Sequence, residues 1–72
     1  MITVEYEING TTYIRDLYDN PVATKSLLEY VSIDAELPLN WLVNNFNTSS
    51  YLETLNDLEH HNILTVKSIE VF

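Results

Sequence analysis

TSSYLETLNDLEHHNILTV, residues Thr48 to Val66, is the stretch on which the fold of this chain turns. Ser50-Tyr51-Leu52-Glu53 fits a capping box, in which the serine hydroxyl and the glutamate carboxylate each satisfy a backbone N–H of the first helical turn. Tyr51, Leu52, Leu55 and Leu58 then recur at helical spacing and predict an inward face. His60 and His61 suit the negative end of the helix dipole. Asn62 stands where a left-handed residue ends a helix, a place filled most often by glycine and next by asparagine. The β-branched run Ile63 to Phe72 predicts a strand. It has to join other strands, because a lone strand leaves its backbone groups without partners.

Working outward, residues 2–8 (ITVEYEI) alternate strictly and Asn9-Gly10 follows, the strongest short signal for a hairpin. Gly10 is the only glycine in the chain. A two-residue loop pairs Ile8 with Thr11, Tyr6 with Tyr13, Val4 with Arg15 and Ile2 with Leu17. One face then holds Ile2, Val4, Tyr6, Ile8, Tyr13 and Leu17 and is the side expected to be buried. The other holds Glu5, Glu7, Thr12, Ile14 and Asp16.

Asn20-Pro21 reads as a helix cap followed by the first helical position. The helix it opens has Ala23, Leu27, Leu28 and Val31 inward and Lys25 and Glu29 outward. Ser32 to Leu37 reads as a connection. Pro38 opens a second, short helix with Leu39, Leu42, Val43 and Phe46 on one stripe, and Asn44, Asn45 and Asn47 mark its end. The expected fold class is therefore α+β, one domain over residues 1–72, of order ββαααβ. A small antiparallel sheet packs against three helices, which is the outline of a winged helix-turn-helix. If the last strand pairs with the first, the free edge of the hairpin is Thr11 to Tyr18.

Composition narrows the function. The chain has 72 residues, 46% of them hydrophobic, and no cysteine, so there is neither a disulfide nor a thiolate for zinc or catalysis. Cores of this size supply only about 3–5 kcal/mol. No apolar run approaches a membrane span, and no basic-then-apolar leader opens the sequence, which points to a soluble protein of the cytoplasm. Eleven acidic residues against three basic ones give a net charge of −8. A surface of that sign repels phosphate and favours basic partners. Duplex binding draws its affinity from Lys and Arg displacing counterions. The exposed side of the third helix offers Glu53, Asn56, Asp57 and His60 instead, so direct nucleic-acid binding is not expected.

Catalysis has no better support. Adjacent histidines do not share a helix face, whereas zinc ligands on a helix normally stand four apart. The carboxylate pairs Glu5/Glu7 and Glu53/Asp57 fall on exposed faces with nothing to desolvate them. There is no glycine-rich phosphate loop. The chain reads as non-enzymatic, with no cofactor and no metal, and as a binder of protein or peptide. Five tyrosines and a tryptophan supply core and edge packing, with Tyr18 and Tyr51 expected to be partly covered. A strand edge beside an aromatic-lined helix can take an extended peptide by β-addition, although Arg15 and Asp16 are the kind of charged residues that guard such an edge.

The segments DLYDNPVATKSLLEYV, LPLNWLVNNFN and SSYLETLNDLEHHNIL follow a short β-region in an order that resembles the small winged-helix modules recognising leader peptides of ribosomally made, modified peptides, the PqqD-like recognition elements. Asn20 matches the asparagine that opens the first helix of that family. Leu55-Asn56-Asp57-Leu58 and Asn62-Ile63 match the end of its third helix. The resemblance spans roughly residues 11–64 and implies that a leader peptide lies against strand two and helix three. The matching positions are Tyr13, Ile14, Arg15 and Asp16, with Tyr51, Leu52, Leu55 and Glu59. The chain departs from the pattern in having one hairpin where three strands are common, Asn62 in place of glycine, and a longer last strand.

A second class of function accounts for the charge more directly. Compact acidic proteins of phages and mobile elements block nucleic-acid-handling enzymes by placing carboxylates where phosphates would bind, as anti-CRISPR and anti-restriction inhibitors do. Such a nucleic-acid mimic would use Glu5, Glu7, Asp16, Asp19, Glu53, Asp57 and Glu59 against a basic protein surface. A homodimeric interaction subunit is a third reading, because small cores often associate. Of the three, the acidic inhibitor is placed first.

Overall fold

The computed structural model of the protein describes residues 1–18, 22–47 and 49–72. The expected cap at Asn20-Pro21 and the acidic candidate Asp19 lie outside the described residues. The order is ββαααβ, with strands β1 (Ile2–Ile8), β2 (Thr11–Leu17) and β3 (Thr65–Val71) and helices α1 (Ala23–Asp34), α2 (Leu39–Phe46) and α3 (Tyr51–His60). Asn9 and Gly10 both have positive φ, 50° and 84°, as the tight turn demands. The hairpin register is the expected one, from Ile8 opposite Thr11 to Ile2 opposite Leu17. Strand β3 pairs antiparallel with the other side of β1, giving the sheet order β2-β1-β3 and two edge strands.

The sheet has one covered face. Ile2, Val4, Tyr6 and Ile8 are buried there beneath Leu27, Leu28 and Val31 of α1, Leu42 and Phe46 of α2, and Leu55 and Leu58 of α3. At about 1.5–3 kcal/mol per fully buried large apolar side chain, this layer contact is the main source of stability. Tyr13 is only half-buried at the rim, because α1 covers β2 along one side. Leu39 also sits at the rim, leaving Leu42 and Phe46 as the buried residues of α2.

Helix α3 differs from expectation in its stripe. Tyr51 is buried and Leu52 is 50% exposed, while Thr54 points inward and is fully buried. The Thr54 hydroxyl donates to the carbonyl of Phe46 at 3.0 Å, giving the last carbonyl of α2 a donor that its own helix lacks. At the start of the helix, the Ser50 hydroxyl accepts from the Leu52 N–H at 3.2 Å. At its end Asn62 has φ 60°, with Ile63 N–H bonded to Leu58 O and Asn62 N–H to Glu59 O, both at 3.0 Å. This is the Schellman arrangement. Ile63 and Leu64 are taken up by that stop and pack on the core, so β3 begins at Thr65 and not at Ile63.

Helix α1 starts at Ala23, with Val22 flanking it and no side-chain cap bond. It runs through Ser32, Ile33 and Asp34, which the sequence assigns to a connection. The stop is a second Schellman turn, with Leu37 N–H to Ser32 O at 3.1 Å and Glu36 at φ 54°. A glutamate in the left-handed region costs about 1 kcal/mol, and nothing in the local sequence announces it.

Candidate functional site

Alternation along the strands sorts the sheet's charges. Glu5 and Glu7 on β1 and Asp16 on β2 project from the face away from the helices. Glu70, opposite Thr3 on β3, joins them there. Two residues along a strand are roughly 6.8 Å apart and two strands over is roughly 9.6 Å, so these carboxylates form a grid of closely spaced charges. That spacing is near one Debye length, about 8 Å at physiological ionic strength, and the groups act as one field. Among the described residues the basic group reaching this face is Lys67, the extra residue of a β-bulge opposite Glu5 and Tyr6, whose ammonium lies 3.4 Å from Glu7. An exposed pair of that kind contributes about 0–1 kcal/mol. The Thr3 hydroxyl donates to Asp16 at 2.8 Å and orients it. Glu70 was not among the residues singled out from sequence, because its face follows from the β1–β3 pairing.

The other acidic candidates lie in the helical layer, on the far side of the sheet. Glu53 and Asp57 are on the outer side of α3, while the Glu59 carboxylate accepts from the Val66 N–H at 2.9 Å and so closes the start of β3. Glu7 and Glu59 line one polar cleft beside Asn9 and Asn62, of about 360 Å³. Of the seven acidic candidates, Glu5, Glu7 and Asp16 stand on the sheet and Glu53 and Asp57 on the outer side of α3, Glu59 meets Glu7 at the cleft between them, and Asp19 is outside the described residues.

The residues of the leader-peptide groove are not brought together. Tyr51 and Leu55 are interior, and Ile14 is 65% exposed on the open face of the sheet. Tyr13 and Arg15 face α1. The helix beside β2 is α1, and α3 packs beside β3. Arg15 is committed to a network of its own. It makes a two-pronged contact with Asp34, one prong at 2.9 Å, and the Tyr6 hydroxyl donates to the same carboxylate at 2.5 Å. The guanidinium also lies over the rings of Tyr13 and Tyr30, at 5.5 and 5.1 Å. Burial first, and then the neighbouring Asp34, push the Tyr6 phenol well above its ordinary value. The hydrogen bond to Asp34 raises Arg15 in the same direction.

His61 stacks edge-on against Phe46 at 5.2 Å and its Nδ1 lies 2.9 Å from the Asp57 carbonyl, the position of a helix-end packing residue. Among the described residues no group of three or more His, Asp or Glu side chains could hold a metal ion. No helix among them is long and apolar enough to cross a membrane.

One apolar groove was not foreseen. Tyr18, Val22, Ser26, Tyr30 and Ile33 line an open cleft of about 480 Å³ along α1, with Lys25 and Glu29 on its rim. Ile33 is 71% and Tyr18 69% exposed. The signal was present in the sequence as a second stripe on α1, at spacings of four, four and three. It lies across from the stripe that fills the core.

These surfaces define an α+β protein with one acidic, uncovered sheet face and one apolar groove. No protein-family model, curated protein or solved structure matches the chain.

Proposed function

We propose that this protein is a non-enzymatic acidic inhibitor, of the anti-CRISPR or anti-restriction kind made by phages and mobile elements. It occupies the basic nucleic-acid-binding surface of an enzyme or complex in the cytoplasm, and binds no nucleic acid itself. The observation carrying this reading is the open sheet face, where Glu5, Glu7, Asp16 and Glu70 stand on a rigid grid, with Lys67 beside Glu7 as the opposing charge among the described residues. A pleated sheet fixes carboxylate spacing better than a loop would, and a rigid array loses little entropy when it docks. Lysines and arginines arranged for a phosphate backbone meet this array as they would a strand of phosphates.

The test uses the immobilised protein and a host extract. Proteins retained at low salt should be released by added duplex or single-stranded oligonucleotide and by rising ionic strength. The Glu5→Lys/Glu7→Lys variant should lose them, whereas Glu53→Lys/Asp57→Lys should keep them. Retention indifferent to oligonucleotide would refute the mimic. Loss only with the helix variant would move the contact to α3.

A further inference from the structure

We infer that the outer edge of β2 is a docking edge for an extended polypeptide segment in which apolar residues alternate with lysine or arginine. This rests on reading the open sheet face as a contact surface and adds the form in which the partner meets it. It concerns the free edge of β2 and the groove along α1 that begins at Tyr18, just past the end of β2, not a groove between strand two and helix three.

The two edges of the sheet are treated differently. On β3 the Val66 N–H is closed by Glu59 at 2.9 Å and the strand carries a bulge at Lys67, both devices that discourage pairing. Strand β2 is regular over its whole length. With a two-residue loop, Thr11, Tyr13, Arg15 and Leu17 turn their backbone groups toward β1, and Thr12, Ile14 and Asp16 turn theirs outward. No further strand among the described residues pairs with them. The charged residues that could guard this edge are engaged across the two faces instead, Arg15 with Asp34 and Asp16 with Thr3.

The chemistry of the occupant follows from the pleat. A strand added at β2 sends alternate side chains to opposite faces. Those on the helix side meet the groove wall of Val22, Tyr30 and Ile33, which calls for apolar residues. Tyr30 is in place beside the strand, its ring 5.1 Å from the Arg15 guanidinium. The remaining side chains fall in line with Thr12, Ile14 and Asp16, with Asp16 on the adjoining strand and Glu5 and Glu7 one strand further in, and charge complementarity there calls for lysine or arginine. A second copy of this chain fits less well, because it brings its own Asp16 and a net charge of −8 to the same surface.

The experiment compares three synthetic peptides against the intact protein by NMR titration: alternating valine and lysine, the same composition in two blocks, and the alternating peptide N-methylated at every second amide. The alternating peptide should slow amide exchange at Thr12, Ile14 and Asp16 and shift Val22, Tyr30 and Ile33. The block and N-methylated peptides should bind roughly tenfold more weakly, equivalent to about 1.4 kcal/mol. The Ile14→Pro variant, whose proline is tolerated on an edge, should show the same loss. No binding by any peptide overturns the proposal. So does equal binding by all three, and the Glu5→Lys/Glu7→Lys variant then separates the two failures. If it abolishes that equal binding, the acidic face stands and the edge falls. If it changes nothing, the acidic face falls as well.

Discussion

Replacing Asp34 by alanine should be the most damaging single substitution of a polar residue in this protein. The carboxylate side chain is 2% exposed and serves three donors, two from Arg15 and one from Tyr6. It ties the end of α1 to β1 and β2 at once. Removing it leaves the Tyr6 hydroxyl buried without that acceptor and the guanidinium without its counter-ion. Breaking a buried pair from one side typically costs about 3–5 kcal/mol. The Arg15 side chain is 31% exposed and water relieves part of its loss, so the lower end, about 3 kcal/mol, is the expected figure. Against a core worth about 3–5 kcal/mol, that removes most of the stability. At about 4–8 °C per kcal/mol for a domain of this size, the midpoint should fall by roughly 12–24 °C. Thermal unfolding followed by near-ultraviolet circular dichroism measures it, with Tyr6→Phe as the smaller companion at about 1–2 kcal/mol. A midpoint within about 4 °C of the parent would refute the reasoning. It would mean that the attraction inside the network only balances the cost of taking its charges out of water.

Three further outcomes follow from other features. Glu36→Gly should raise stability by about 1 kcal/mol, because glycine relieves the left-handed strain at φ 54°; chemical denaturation reads it, and an unchanged or lower midpoint counts against the strain. Thr54→Val should cost about 1–2 kcal/mol by withdrawing a buried donor from the Phe46 carbonyl, a loss that Thr54→Ser should largely avoid. At alkaline pH stability should decline. The folded Tyr6 phenol is raised above its ordinary 10.0, so the folded state holds a proton that the unfolded chain releases. Its contribution is whole below pH 10 and is lost as pH rises from there toward the folded value. Tyr6→Phe should flatten that part of a melting-point profile, and an unaltered slope would assign the decline to other groups.

Much of the local structure was legible residue by residue. Asn9-Gly10 after the strict alternation of residues 2–8 sets the register, because a two-residue loop fixes which residues face each other. The Asn62 stop was equally readable, because a left-handed helix end depends on only a few neighbouring residues. Glu36 makes the same turn and escaped notice, since glutamate carries no such preference. The candidate site was legible in part. Glu5, Glu7 and Asp16 share a face by pleat alone, whereas Glu70 joins them only through the β1–β3 pairing. Leu52 shows the limit of periodicity: the helical repeat places it beside Tyr51, but how wide a stripe is covered depends on what packs against it.

By itself, then, the chain of residues determined the order of the elements, the hairpin register, the face each β1 and β2 side chain takes, and a net charge of −8. These depend on spacings of two to four residues and on a few backbone angles, which are local. Tertiary structure alone decided that α1, not α3, lies beside β2, that Asp34 joins Arg15 to Tyr6, and that Glu59 closes one edge while the other stays open. Those contacts join residues from 7 to 28 positions apart, and their geometry is set by how the helices settle on the sheet, which no short window of sequence encodes.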